Sequence, residues 1–408
     1  MDSTSLFPLL VSFRLLLACI PLHLISGLQH DHQLSSPLTS YSRLKEGLWL
    51  YSHNIDPYAG GVFRHSPLFL SIFSTLLPPL PIVWALSDIV GAWALLRIWR
   101  ARQRVGKGSG GRAGGLVAAA FLLNPYLFLP SLALSASTFE NTAVLLTLMF
   151  ASEGKPSAAL LALAFSTHLC ISTLLLLLPV LMLLVTSPVS QLASPQEFRG
   201  DLRTTCKYAG QFVAYWLVLL GASSLMVGDV YCEQSYRASL TLPDLTPNPG
   251  LWWYFFTEMF DHFRPFFLMV FSVHLVIYIL PICIKFQHDA LYASFLLVGI
   301  LGIFKAYLTL ADPGLFLSMF ALFPEVYPYL RHPIVTTLVH IHAALLLPLF
   351  HALWVTEGRG NANFYYAASL VMGVAGGMGV VDACYAGLRI AFGDVAEGER
   401  NNWAVVQE

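Results

Sequence analysis

The stretch LTLPDLTPNPGLWWYFFTEMFDHFRPFFLMVF, from Leu240 to Phe271, places polar turn residues directly before a dense aromatic block. Nine aromatic residues lie between Trp252 and Phe267. Trp and Tyr concentrate at membrane–water boundaries, where one end of the side chain is apolar and the other is wet. We therefore predict an interfacial helix over 251–263, with a membrane span that starts near Pro265.

Three ionisable residues of this block, Glu258, Asp261 and His262, are spaced three and four apart. On a helix this spacing puts them on one face. That face could bind a metal, act as an acid–base pair or recognise a lipid headgroup, but a polar stripe of an interfacial helix is the simpler interpretation. A metal site usually takes further ligands from elsewhere in the chain, so we assign no metal here.

The composition of the chain is that of an integral membrane protein. Hydrophobic residues make up 56% of 408, charged residues 11%, and the mean hydropathy is +0.66. Soluble domains are about 25% charged. The formal net charge of −1 excludes the basic surface that nucleic-acid binding requires. We treat 1–408 as a single integral membrane domain.

The apolar runs predict an all-α polytopic protein with about twelve transmembrane helices. One long run, 157–186, is predicted to divide into two helices near His168, and the prolines within and beside the runs predict broken or re-entrant helices. The other runs are 5–27, 67–98, 114–135, 139–152, 208–228, 264–284, 290–310, 314–329, 333–355 and 363–390.

Three polar segments separate these runs. The basic, Gly-rich segment 97–113 is predicted to be cytosolic, because positively charged loops stay on that side of a membrane. Segments 28–66 and 229–263 then fall on the luminal side. We expect 28–66 to contain a short interfacial helix followed by turns, and 229–263 to contain the aromatic helix.

Several ionisable residues lie inside apolar runs. Such residues are costly in a membrane and are functional candidates by default, although hydrogen bonds between helices are the simpler explanation. They are Arg14, Asp88, Glu140, Lys305, Asp312, Glu325 and Asp382.

No nucleophile elbow, zinc-protease motif, Cys/His pairing or phosphate loop occurs in a usable context. The first polar segment also lacks the DxD-like acidic motif that dolichol-linked sugar transferases use, which weakens a transferase interpretation. A twelve-span transporter is a further alternative, but matching repeat halves with broken segments are not visible.

The aromatic block also carries a family resemblance. LTPNPGLWWYFFTEMFDHF is similar to the pattern LTPNxGLFWYFFxEMFxHF of the class U (PIG-U, Cdc91-like) subunits of the glycosylphosphatidylinositol (GPI) transamidase. The segments DPYAGGVFRHSPL (56–68), FLLNPY (121–126) and NANFYYA (361–367) resemble further motifs of that family, in the same order.

The resemblance implies a non-catalytic, multi-pass subunit of an endoplasmic-reticulum complex, without a cofactor. That complex joins a GPI lipid to the new C-terminus of precursor proteins. It further implies a GT-C-like architecture, binding or presentation of the GPI lipid, and partner subunits that include a caspase-like catalytic one. The alternative function is a GT-C-type dolichol-linked glycosyltransferase of the endoplasmic reticulum.

We expect the GPI lipid to contact polar side chains on the luminal side. Asn361 and Asn363 open the last span, where they can cap the helix or bind sugar hydroxyls and phosphate. The full expected set is Asn361, Asn363, Asp56, Tyr58, His65, Glu258, Asp261 and His262.

Overall fold

The computed structural model describes residues 3–20, 22–76, 80–103 and 110–393, and its regular elements within those residues are all helical. The α-helices are α1 (Ser3–Ala18), α2 (Leu22–Gln29), α3 (Tyr41–Ser52), α4 (Pro67–Ser71), α5 (Pro81–Gln103), α6 (Gly110–Leu122), α7 (Pro125–Leu132), α8 (Ser137–Ser152), α9 (Pro156–Leu169), α10 (Leu177–Val185), α11 (Leu202–Val227), α12 (Val230–Cys232), α13 (Ala238–Thr241), α14 (Trp252–Thr257), α15 (Arg264–Val276), α16 (Ile279–Lys285), α17 (Ala290–Phe304), α18 (Ala311–Met319), α19 (Pro333–His351) and α20 (Ala362–Phe392).

Short helices of other types extend or join these. Three are 3-10 helices, Ile171–Leu176, Phe320–Leu322 and Pro324–Tyr329, and three are π-helices, Ile72–Leu76, Glu233–Arg237 and Ala352–Thr356.

Within the described residues, five helical segments are long and apolar enough to cross a membrane, and a bent pair raises the number to six. The bend, 48°, lies between Gly114–Leu122 and Pro125–Leu132. The five segments are Pro81–Arg102, Leu202–Val227, Arg264–Lys285, Pro333–Thr356 and Ala362–Phe392. Five shorter apolar helices accompany them. The all-helical membrane class is confirmed, whereas the count of twelve stays a prediction.

The predicted division of 157–186 is confirmed. Helix α9 ends at Leu169, Cys170 takes an extended conformation, and the chain continues through a 3-10 turn into α10. The break at Cys170 lies two residues after His168, near which it was predicted.

Two predicted spans are wrong in their bounds. The run 5–27 forms two helices, α1 and α2, and the run 67–98 forms α4 with its π-helical extension and then α5. The sequence places prolines between the parts, and proline has no N–H with which to continue a helix. Of these prolines, Pro21, Pro78 and Pro79 lie outside the described residues.

The basic segment predicted as a loop over 97–113 begins inside α5, which runs to Gln103. Arg102 is buried there, and its guanidinium donates to Asp289 at 2.9 Å and to Glu325. Arg104 and Lys107 lie outside the described residues. The first part of this segment therefore joins α5 to the start of α17 instead of forming a solvated loop.

Helix α17 forms the centre of the main hydrophobic cluster. Fourteen of its 15 residues are buried, as expected for a helix that is apolar on all sides. Phe295 stacks on Phe316 of α18 with ring centroids 4.9 Å apart. The carboxyl end of α17 is therefore held in place by its packing, and the aromatic block can pack against it.

Buried ion pairs connect helices that are distant in sequence. Arg14 Nε lies 2.8 Å from Asp88 Oδ2, which joins α1 to α5. Lys305 Nζ lies 2.8 Å from both Glu140 Oε2 and Asp312 Oδ1. The simpler explanation of these intramembrane charges, bonding between helices, is confirmed for these residues.

Candidate functional site

The polar turn before the aromatic block is a compact structural element. Asn248 is buried; its side-chain oxygen accepts the backbone N–H of Gly250 at 2.8 Å, and its amide donates to the Thr246 carbonyl. A Cβ at Gly250 would lie 2.7 Å from Asn248 Oδ1 and 3.0 Å from Leu308 Cβ. Glycine is therefore required here, because the turn lies directly against the segment after α17.

The aromatic block covers the end of α17. The Trp252 indole N–H donates to the Phe304 carbonyl at 2.8 Å. Carbonyls in the last turn of a helix have no partner within the helix, so this bond satisfies one of them. Trp252 and Phe256 are both buried in the main cluster. Much of the motif that carries the family resemblance thus has a packing role.

The predicted helix over 251–263 is wrong in length. Helix α14 ends at Thr257, and residues 258–263 form bends and turns before α15. Arg264 fixes this change of direction, since its guanidinium donates to the Leu242 carbonyl at 2.6 Å.

The turn after α14 separates the three ionisable residues of the block. Glu258, Asp261 and His262 are exposed, and they do not share one helix face. Among the described residues, no group of three His, Cys, Asp or Glu side chains is placed to hold a metal ion. Contact of these three residues with a ligand stays a prediction.

The two asparagines are brought to the aromatic block. Asn361 is the N-cap of α20, and its side-chain oxygen accepts from the backbone N–H groups of Asn363 and Phe364. The Tyr254 hydroxyl donates to the side-chain oxygen of Asn363. Both asparagines are exposed, and among the described residues neither side-chain amide nitrogen has an acceptor. Two amide donors are therefore available to a ligand.

Buried polar atoms without a partner lie behind these asparagines. Among the described residues they include Trp253 Nε1, the Tyr365 hydroxyl and His351 Nε2. The rings are neighbours, since the Tyr365 centroid lies 5.8 Å from that of Trp253 and 5.4 Å from that of His351. A buried polar group without a hydrogen bond costs about 1–3 kcal/mol. These atoms favour a nearby ligand oxygen or ordered water.

Arg43 of α3 joins the first polar segment to the turn before the block. Its guanidinium donates to Asp244 Oδ2 at 2.8 Å and to the Val62 carbonyl at 3.3 Å. Burial alone would raise the pKa of Asp244, but the hydrogen bonds from Thr246 and Arg43 outweigh it and lower that pKa. The carboxylate is therefore ionised and paired at neutral pH.

A polar cavity of about 310 Å³ lies beside this ion pair. Its lining includes Gln29, His32, Ser36, Arg43 and Thr246. Burial and the neighbouring His351 lower the pKa of His32, so its imidazole is neutral. Hydroxyl and amide groups and the neutral His32 imidazole line the cavity, beside one paired arginine. This lining suits sugar hydroxyls better than an isolated anion.

The sequence did not identify this cavity. Its residues come from 29–43 and from Thr246, which are about 200 positions apart, and nothing in their local spacing indicates that they meet. The His32 and His351 rings, 5.6 Å apart, connect the cavity to the unpartnered aromatic groups. The only signal in the sequence was the family resemblance of the segment that contains Thr246.

Tyr58 and His65, predicted as ligand contacts, are buried and bonded to the protein. The Tyr58 hydroxyl donates to the His65 carbonyl at 2.8 Å, and His65 Nε2 lies 2.8 Å from the Ser40 carbonyl. Burial lowers the pKa of His65 to about 4, so Nε2 carries the proton. Asp56 is exposed and caps the turn through the Tyr58 N–H. No described contact brings these three residues to the asparagines.

Comparisons with known proteins agree over nearly the whole chain. The family model described as "GPI transamidase subunit PIG-U" matches residues 8–372. The chain is 32% identical over 401 residues to the GPI transamidase component GAB1 of Saccharomyces cerevisiae, and the aligned region covers 96% of each chain. It is 29% identical over 381 residues to the human GPI-anchor transamidase component PIGU, which covers 88% of this chain and 87% of the human one. The chain therefore belongs to the PIG-U family of GPI transamidase subunits.

Proposed function

We propose that this chain is a non-catalytic subunit of a GPI transamidase in the endoplasmic-reticulum membrane, and that it binds and presents the GPI lipid. Its relatives are named as components of that enzyme. The peptide chemistry is then performed by a separate, caspase-like catalytic subunit of the same complex. In this role the present chain needs a lipid-binding surface and no nucleophile.

The observation that supports lipid binding is the arrangement around α14 and the start of α20. Two exposed amides, Asn361 and Asn363, lie in front of three buried polar atoms without partners, and the polar cavity lies behind His351. Polar groups that converge beside aromatic rings are the usual form of a small-molecule site. The glycan core of a GPI lipid offers hydroxyl groups for these donors and acceptors.

The remaining predictions about architecture belong to the same proposal. A GT-C-like arrangement with about twelve spans would require the shorter apolar helices to enter the membrane as well and to line a cavity open to the lumen. Irregular backbone at membrane depth is tolerated where it is buried in protein or lines a cavity. The glycan would then occupy the luminal cavity while the acyl chains stay in the bilayer.

The proposal is tested by purifying the tagged chain in a mild detergent and analysing both proteins and lipids by mass spectrometry. We expect a caspase-like protease subunit and GPI lipid to copurify with the chain. Purification of the chain alone, together with sugar transfer from a dolichol-linked donor by the same preparation, would replace this proposal with the glycosyltransferase alternative.

A further inference from the structure

A second large cavity lies farther along α20 from the amides, beside Gly379 and Asp382, and is lined by residues of α19 between Pro333 and Leu345. It has a volume of about 550 Å³, and its lining is mostly apolar, with aromatic rings from Tyr126, Phe320 and Tyr327. Most of the Pro333–Thr356 span faces outward from the described residues, since only 17% of its most apolar 18-residue stretch is buried. The cavity therefore adjoins a helix surface that is available to membrane lipid.

His340 is the unusual member of this lining. Its side chain is 7% exposed, and among the described residues neither of its two ring nitrogens has a hydrogen-bond partner. Thr336, four residues earlier on the same face of α19, also has a buried hydroxyl without a partner. Unsatisfied groups of this kind are costly in an apolar environment, so their position in the cavity indicates a ligand with a polar atom.

Two other polar side chains of the lining, Asp382 and Asn124, already have partners within the chain. Asp382 accepts from the backbone N–H groups of Arg331 and His332 at 2.7 and 3.0 Å. The Asn124 amide donates to the Gly314 carbonyl at 3.1 Å. His340 and Thr336 are thus the lining residues whose buried polar side-chain atoms lack a partner in the part of the chain that the structure describes.

The charge of the lining limits the class of lipid. Among the described residues that line the cavity, there is no Lys or Arg to receive a phosphate. A single hydroxyl can donate to one unpartnered group and accept from the other, whereas an ester carbonyl can only accept. His340 lies seven residues after Pro333, which is about 10 Å along a helix that rises 1.5 Å per residue. The polar atom of the ligand therefore lies within the span and not at its end.

We propose that this cavity is a sterol-binding site, in which the sterol hydroxyl bonds to His340 and Thr336 while the ring system packs against the aromatic lining. A rigid, uncharged body with one hydroxyl matches a cavity that offers apolar walls and one pair of buried polar groups without partners. The site is separate from the amide surface proposed to hold the GPI lipid, and it does not depend on that proposal.

The test uses membranes that contain the tagged chain within its complex, a photoreactive alkyne-bearing sterol, and a photoreactive phosphatidylcholine. After illumination the chain is captured and the labelled peptides are mapped. We expect the sterol probe to label peptides of α19, and unlabelled sterol to compete, whereas unlabelled phosphatidylcholine does not. Labelling of α19 by both lipids to the same extent, or crosslinking of α19 to another protein in place of lipid, would overturn the proposal.

Variants identify the residues responsible. His340→Leu should lower sterol labelling about tenfold, which corresponds to about 1.4 kcal/mol, and Ala344→Phe, which fills the cavity, should abolish it. His342→Leu is the matched control, because His342 is exposed and lies outside the lining. Thr336→Val removes the hydroxyl but keeps nearly the same side-chain shape. It therefore still tests the proposal if the other variants reduce the amount of folded chain. Labelling that is unchanged in Thr336→Val and in either cavity variant would contradict the proposal.

Discussion

The Arg43 guanidinium lies 2.8 Å from the Asp244 carboxylate, across 201 positions of sequence. This ion pair joins the first polar segment to the turn that precedes the aromatic block. Both side chains are about one-fifth exposed, so the pair is shielded enough from water to contribute to the stability of the cavity wall. Because the pair lies beside the polar cavity, mutation of either residue tests whether it stabilises the cavity wall.

A double-mutant cycle on this pair should show coupling. We expect Arg43→Gln and Asp244→Asn each to lower the thermal stability of the purified complex, and the double variant to lose about 1 kcal/mol less than the sum of the single losses. Thermal unfolding of the four proteins measures the coupling. Arg359 and Glu357, 3.8 Å apart and largely exposed, form a control pair that should show none. Strict additivity at Arg43 and Asp244 would show that the pair has no role in stability.

Gly250→Ala should destabilise the chain by about 1–3 kcal/mol, because the added methyl group overlaps Asn248 and Leu308 in a region without free space. The melting temperature of the complex in detergent measures this loss. Gly210→Ala in α11 is the matched control, since nothing lies within 4 Å of a Cβ built there. Equal stability of the two variants would mean that the turn is not held against the segment after α17.

Lys305→Met should be strongly destabilising, because it leaves the carboxylates of Glu140 and Asp312 buried without their shared cation. Loss of one partner from a buried ion pair costs about 3–5 kcal/mol. The yield of monodisperse complex on gel filtration reports the effect. Addition of Asp312→Asn to Lys305→Met should recover part of the yield, and a further loss in that double variant would refute the charge argument.

His65 should make stability dependent on pH. Burial lowers the pKa of His65 to about 4 in the folded chain, whereas the ordinary value is near 6.5. Below pH 6.5 the unfolded chain therefore binds a proton that the folded chain does not, and the fold loses stability progressively as pH falls toward 4. Between pH 7.5 and pH 5 the loss is about 2 kcal/mol.

Thermal transitions of wild type and His65→Gln at pH 7.5 and pH 5 measure this contribution. Glutamine keeps a donor for the Ser40 carbonyl but does not titrate, so the stability of the variant should fall less at the lower pH. His53→Gln, at an exposed position, should behave as wild type. The same acid sensitivity in His65→Gln and wild type would show that His65 is protonated without cost in the folded chain.

Features of the fold that depend on neighbouring residues could be predicted from the sequence, whereas features that depend on contacts between distant residues could not. The break near His168 was predicted from local sequence, since one run was too long for an upright span and polar residues lay at its middle. The end of α14 at Thr257 was not, because it depends on the bond from Arg264 to the Leu242 carbonyl, a contact that no periodicity reveals. A helical pattern therefore grouped Glu258, Asp261 and His262 on a face that does not form.

The same distinction applies to the candidate site. Asn361 and Asn363 stood out as amides at the start of a span, and the structure places Asn363 against Tyr254 of the aromatic block. The polar cavity was missed because its lining is assembled from distant segments. Tyr58 and His65 looked like ligand contacts in a polar segment, but their polar groups bond within the protein.

The most direct test of the central proposal separates the cap function of Asn361 from contact with lipid. Serine retains N-cap strength close to that of asparagine, whereas alanine costs about 1 kcal/mol. The Asn361→Ser, Asn363→Ala double variant therefore keeps α20 capped while it removes both free amide donors. The measurement is the amount of GPI lipid that copurifies with the tagged complex, by mass spectrometry, per mole of the caspase-like subunit. We expect wild-type recovery of the subunits and at least a tenfold loss of GPI lipid, and an unchanged ratio of lipid to subunits would contradict the account.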